Sequence, residues 1–174
     1  MSNYIIAIIG RPNVGKSTLF NRILGVRAAI VHDEPGVTRD RHYAEAEWAG
    51  KTFTLVDTGG FLPNSEDEME AAIREQAKVA IVEADEIIFL VDAENGVTSA
   101  DEELAAIIRK SQKPIVLVVN KIDSEKRESS VGEFFQLGLG EPIPISALGG
   151  RRIGDFLDII TEKISSNANE NADE

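Results

Sequence analysis

Gly10-Arg11-Pro12-Asn13-Val14-Gly15-Lys16-Ser17 sets two glycines, a lysine and a hydroxyl at the spacing of a phosphate cradle. Gly10 and Gly15 permit a backbone path that aims successive N–H groups at phosphate oxygens. Lys16 supplies a cation to β- and γ-phosphates, and the Ser17 hydroxyl suits Mg²⁺. Arg11, Pro12, Asn13, Val14 and Thr18 complete this candidate phosphate site. Asp57-Thr58-Gly59-Gly60 follows a predicted strand. Asp57 there can hold Mg²⁺ directly or through water, and Gly60 can bring its N–H to a γ-phosphate. Asn120-Lys121-Ile122-Asp123 follows a third apolar run. The Asp123 carboxylate can accept from both N1–H and the 2-amino group of guanine, a donor pair that adenine lacks. Asn120 can brace the loop or the base, and the Lys121 stem can lie over the ring. Ser146-Ala147-Leu148 places an Ala147 N–H where guanine O6 would accept it. Thr38, in Pro35-Gly-Val-Thr-Arg-Asp40, offers a hydroxyl to complete a Mg²⁺ shell.

These residues need a scaffold that brings distant loops to one edge. The runs Tyr4 to Ile9, Ile87 to Val91 and Ile115 to Val119 are unalternated and rich in Ile and Val, as strands buried on both faces of a parallel sheet are. Helical patterns lie between them. Ser65 with Glu68, and Ser99 with Glu102, read as capping boxes ahead of apolar stripes. Ile153, Phe156, Leu157, Ile160 and Ile164 form another stripe. Tyr43 to Trp48 alternates, Gly50-Lys51 turns, and Thr52 to Val56 returns, which predicts an antiparallel hairpin. The pattern predicts a three-layer α/β fold with a mostly parallel six-stranded sheet and one antiparallel edge strand.

The chain has 174 residues, enough for one ordinary domain, with 43% hydrophobic residues. Its net charge is −12, which argues against general binding of nucleic acid by the whole surface and against DNA as a partner. Residues 1–51 hold 7 Lys and Arg against 5 Asp and Glu, so the remainder carries −14; an anionic ligand near the N-terminus fits that bias. No Cys is present, which excludes disulfides and thiolate chemistry. No apolar run approaches the roughly 18 residues of a membrane helix. We therefore expect no membrane partner and a cytoplasmic location. Residues 1–165 are expected to form the domain, and 166–174 an acidic disordered tail or the start of a linker.

The five elements from Gly10 to Leu148 resemble, in order, the guanine-nucleotide motifs of the P-loop GTPases. The segments Gly-Arg-Pro-Asn-Val-Gly-Lys-Ser, Pro-Gly-Val-Thr-Arg-Asp-Arg and Asp-Thr-Gly-Gly-Phe resemble the Era/TrmE/Der branch, and most of all the first G domain of the Der (EngA) family. The resemblance implies a P-loop G domain that binds GTP and GDP with Mg²⁺ and hydrolyses GTP. It also implies a longer polypeptide with a second G domain and a KH-like domain, acting in assembly of the large ribosomal subunit. Two other readings stand beside it. One is a G domain of an Era-like RNA-binding GTPase or a TrmE-like tRNA-modification enzyme; the other is a regulatory nucleotide-binding module with negligible hydrolysis. Segments 27–41 and 61–70 would respond to the γ-phosphate. Phe61 stands where Ras-like GTPases carry a water-orienting Gln, so the catalytic set is expected from Lys16, Thr38, Gly60 and Asn13. In the TrmE-like branch an Asn in the place that Asn13 takes here helps to hold K⁺ beside the phosphates. Here it either does so or braces its own loop.

Overall fold

The computed structural model describes residues 4–26, 31–32, 42–58 and 65–164. The elements are β1 (Ile5–Ile9), α1 (Lys16–Val26), β2 (Val31–His32), β3 (His42–Trp48), β4 (Lys51–Asp57), α2 (Glu66–Glu83), β5 (Glu86–Asp92), α3 (Ser99–Ser111) and β6 (Ile115–Asn120). A 3₁₀ segment (Glu125–Leu137), β7 (Ile143–Pro144) and α4 (Ile153–Thr161) complete them. Thr38, Gly60 and Phe61 lie outside the described residues, as do most of the two segments expected to respond to the γ-phosphate and the tail from 165 onward.

The strand order is β2-β3-β4-β1-β5-β6-β7. β4, β1, β5, β6 and β7 run parallel, while β3 runs antiparallel to both of its neighbours. This is the expected mostly parallel sheet, with the two-residue β2 added outside the hairpin as a seventh strand. Alternate residues of β1 divide the core. Ile6 and Ile8 face Leu19, Phe20 and Ile23 of α1 and Phe156, Leu157 and Ile160 of α4. Ala7 and Ile9 face Ala77, Ala80 and Ile81 of α2 and Leu104, Ala105 and Ile108 of α3, with Phe134 of the 3₁₀ segment. Both faces are covered, which is why the parallel strands carry unbroken apolar runs. Among the described residues no helix is long and apolar enough to cross a membrane.

Two local readings shift by one residue. The hairpin turns at Ala49 (φ 52°) and Gly50 (φ 80°), with Lys51 already paired to Trp48. Two positive φ angles match the twist of the flanking strands, which a turn at Gly50-Lys51 would not. The box that opens α3 is Thr98 with Asp101, not Ser99 with Glu102. The Asp101 N–H donates to Thr98 Oγ1 at 3.2 Å, and the Thr98 N–H donates to Asp101 Oδ2 at 3.1 Å. Asp101 is fully buried and its other oxygen accepts from Arg11, a long-range contact that fixes which residue caps. Ser65 caps α2 as expected, accepting from the Glu68 N–H.

Candidate functional site

The carboxyl ends of four parallel strands meet at one edge of the sheet. In register, Ile8 stands beside Asp57 and Asp92 beside Asn120. The loop after β1 therefore faces the ends of β4, β5 and β6, the place where open α/β sheets bind ligands.

The loop from Gly10 to Gly15 passes close over β5. A Cβ on Gly10 would stand 2.5 Å from the Leu90 carbonyl oxygen, so only glycine fits. Asn13 (φ 70°) and Gly15 (φ 105°) take the left-handed turn that brings the chain round into α1. No acidic residue lies in the first turn of α1, so its amide end stays open to an anion. The Lys16 ammonium bends back over the loop and donates to the carbonyl oxygens of Gly10 at 2.6 Å and Arg11 at 3.3 Å. Burial lowers its pKa to about 8, against the opposing pull of Asp57. Ser17 Oγ donates to Asp57 Oδ2 at 3.2 Å. Thr58 Oγ1, bonded to the Ile8 carbonyl oxygen at 2.7 Å, fixes the end of β4 against β1 and so holds Asp57 in place.

Asn120 joins three loops. Its Nδ2 donates to the Val14 carbonyl oxygen at 2.9 Å, and its Oδ1 accepts the Ala147 N–H at 2.9 Å. Of the two roles left open for Asn120, the structure shows the brace. The Ala147 N–H, expected to meet guanine O6, here donates to Asn120. The Lys121 ammonium pairs with the buried Asp92 at 2.7 Å. Ser146 Oγ donates to Asp123 Oδ1 at 3.2 Å and accepts the Gly149 N–H at 3.0 Å, which turns the exposed Asp123 carboxylate toward the loop after β7.

One open cleft of about 740 Å³ joins these parts. Pro12, Asn13, Gly15, Lys16, Ser17 and Thr18 line one end; Asn120, Lys121, Asp123, Ser146 and Leu148 line the other. Five expected ligand residues stand behind it. Asp57 and Ala147 are buried there, Asp57 reaching the cleft through Ser17. Gly10 and Val14 are buried and contribute backbone alone. Arg11 turns its side chain away, with Nε on Asp101 at 3.0 Å. Two residues were not anticipated. Glu94 lines the cleft, carried there by β5. Arg22 of α1 holds the 147–148 loop from outside, at a separation of 125 residues that leaves no local signal. Asp92, by contrast, was detectable as an acid closing an apolar strand.

The geometry defines a class, a P-loop G domain with separate phosphate and base ends. A family model described as 50S ribosome-binding GTPase matches residues 5–121, and the chain belongs to that family. It is 55% identical to GTPase Der of Clostridium kluyveri over 99% of its length, and 53% identical to GTPase Der of Limosilactobacillus fermentum over its whole length. In both cases it spans 40% of the length of the relative. Among solved structures it resembles Era in complex with MgGDPNP and a segment of 16S ribosomal RNA, at 32% identity and a TM-score of 0.73, covering 93% of this chain and 57% of that one. The G domain of the T. maritima FeoB iron transporter is 26% identical, with a TM-score of 0.66 over 91% of this chain and 97% of that one.

Proposed function

We propose that this chain is a guanine-nucleotide switch that hydrolyses GTP to GDP and phosphate, and that it serves as one G domain of a longer cytoplasmic protein acting in assembly of the large ribosomal subunit. The observation that carries the reading is the convergence of Lys16, Ser17 and Asp123 on a single cleft, with the buried Asp57 bonded to Ser17 behind it. The identity of more than half to GTPase Der relatives over the whole chain, and the share of those relatives left unmatched, support the longer protein with a second G domain and a KH-like domain.

Lys16 now donates to two carbonyl oxygens of its own loop. Phosphate oxygens offer stronger, charged acceptors at the same mouth, so the ammonium turns to them when nucleotide enters. The P-loop amides and the α1 terminus add positive potential where charge develops on the transferred phosphoryl group. A hydroxyl and a carboxylate 3.2 Å apart suit a hard cation of octahedral habit. Ser17 and Asp57 would thus hold Mg²⁺, joined in our reading by Thr38; the ion supplies charge neutralisation to the phosphates when bound. Thr38 and Gly60 sense the γ-phosphate. At the other end Asp123 reads the base edge, Lys121 covers the ring, and the 146–148 loop offers donors to O6.

Two substitutions test the two ends. Lys16→Ala removes phosphate release from GTP in an assay run over hours, with the fold retained by circular dichroism. Asp123→Asn moves preference from GTP toward XTP by about 1–3 kcal/mol, the cost of a polar group left unmatched once the bound base covers it. Hydrolysis at the parent rate in the first variant, or unchanged GTP affinity in the second, overturns the reading.

A further inference from the structure

Arg22 sits on α1, two turns beyond the phosphate end, outside every motif of the nucleotide site. Its Nε donates to the Ala147 carbonyl oxygen at 2.8 Å and its Nη2 to the Leu148 carbonyl oxygen at 2.5 Å. Gly150, with φ +79°, lies against the guanidinium; a Cβ there would stand 3.5 Å from Nη1. Two consecutive carbonyls are thus drawn to one side of the loop.

The amides must then face the other way, because C=O and N–H point oppositely within a trans peptide, and no described peptide is cis. One of them confirms the direction. The Gly149 N–H, in the same peptide as the Leu148 carbonyl, reaches Ser146 Oγ, which itself bonds Asp123. The Leu148 N–H, in the same peptide as the Ala147 carbonyl, faces that side too and has no hydrogen-bond partner among the described residues. Leu148 lines both the nucleotide cleft and the small groove over Arg22, so it stands between the two. The Ala147 N–H, meanwhile, is held by Asn120.

We propose that Arg22 is a positioning residue for base recognition, turning the Leu148 N–H into the cleft as the donor that reads guanine O6. The inference rests on the reading of the cleft as a guanine-nucleotide site. It makes α1 a rigid link between the two ends: the helix that presents Lys16 and Ser17 to phosphate also fixes the loop that reads the base. Burial of the loop alone would not require this arginine, since Asn120 and the Ser146–Arg151 bridge already anchor it.

The test is calorimetric titration of four diphosphates (GDP, ADP, IDP and 6-thio-GDP) against the parent, Arg22→Met and Arg22→Lys. The GDP to 6-thio-GDP ratio reads the contact to O6, since sulfur is a weak acceptor. The GDP to IDP ratio reads the 2-amino contact to Asp123. Arg22→Met keeps the stem and removes the donors. It is expected to weaken GDP about tenfold, the worth of one good hydrogen bond. The 6-thio-GDP ratio falls toward one and the IDP ratio is retained, while Arg22→Lys recovers part of the loss. Unchanged GDP affinity in Arg22→Met, or an equal loss for all four ligands with both ratios intact, overturns the positioning role. A parent that shows no preference for GDP over ADP instead overturns the guanine reading beneath it.

Discussion

The side-chain amide of Asn120 occupies the space where a Cβ on Gly15 would stand: the Asn120 Nδ2 to Cβ distance would be 2.3 Å. Residues 105 apart in sequence thus depend on each other's shape. The same Nδ2 holds the Val14 carbonyl oxygen, so it cannot move aside without releasing the phosphate loop.

Gly15→Ala therefore meets two obstacles, a φ of 105° and a backbone-anchored neighbour. The expected outcome is a loss of about 1–3 kcal/mol in urea unfolding, together with loss of GDP binding. Asn120→Ala removes the steric obstacle but not the dihedral one. A double-mutant cycle is expected to show coupling between the two sites. Strict additivity would show that the contact does not govern the glycine.

The Lys16 pKa of about 8 in the nucleotide-free protein makes binding pH-dependent. Bound phosphate favours the ammonium, so above about pH 8 binding takes up a proton, and GDP affinity falls by up to about tenfold per pH unit. Stability runs the other way. Between about 8 and 10.5 the unfolded chain holds more protons than the folded one, so the nucleotide-free protein gains stability as pH rises through that window. Lys16→Met flattens both profiles. A parent with pH-independent GDP affinity from 7 to 9.5 would contradict the shift.

At the opposite end of the sheet, burial pushes the Glu86 carboxyl up to about 7, although the Tyr4 hydroxyl donates to its Oε1 at 2.8 Å. Its Oε2 is buried without a partner among the described residues. Between 4.5 and about 7 the folded state holds the extra proton, so this contribution to stability is full below 4.5 and lost as pH rises through 7. Glu86→Gln keeps the acceptor for Tyr4 and is expected to exceed the parent by about 1–3 kcal/mol at pH 8, with the two nearly equal at pH 4.5. Parallel unfolding free energies across that range would rule out the buried carboxylate as the cause.

Asn13 lines the phosphate end of the cleft in a left-handed turn, with no hydrogen bond from its side chain among the described residues. That favours a free carbonyl over a loop brace. GTP hydrolysis is expected to run faster in KCl than in NaCl at equal ionic strength, and the difference to vanish in Asn13→Ala. Equal phosphate-release rates in the two salts would leave the catalytic group to a partner or another domain.

The parallel sheet was legible in the sequence because strands buried on both faces must be apolar throughout, as Ile87 to Val91 and Ile115 to Val119 are. The phosphate loop was legible because its chemistry is local: eight consecutive residues supply the glycines, the cation and the hydroxyl. Asp57 was legible because it ends a strand, and Asp123 because it lies three residues past the end of one, so that both fall at the ligand edge. What depends on distant neighbours was not. Only the folded chain shows that Asn120 has already taken the Ala147 amide, that Arg11 turns to Asp101, that Asp101 thereby displaces the expected cap of α3, and that Arg22 bonds the Leu148 carbonyl. A motif is written by the residues adjacent to it. The partner of a polar side chain is chosen by packing, which brings together groups up to 126 positions apart and leaves no periodicity by which to find them.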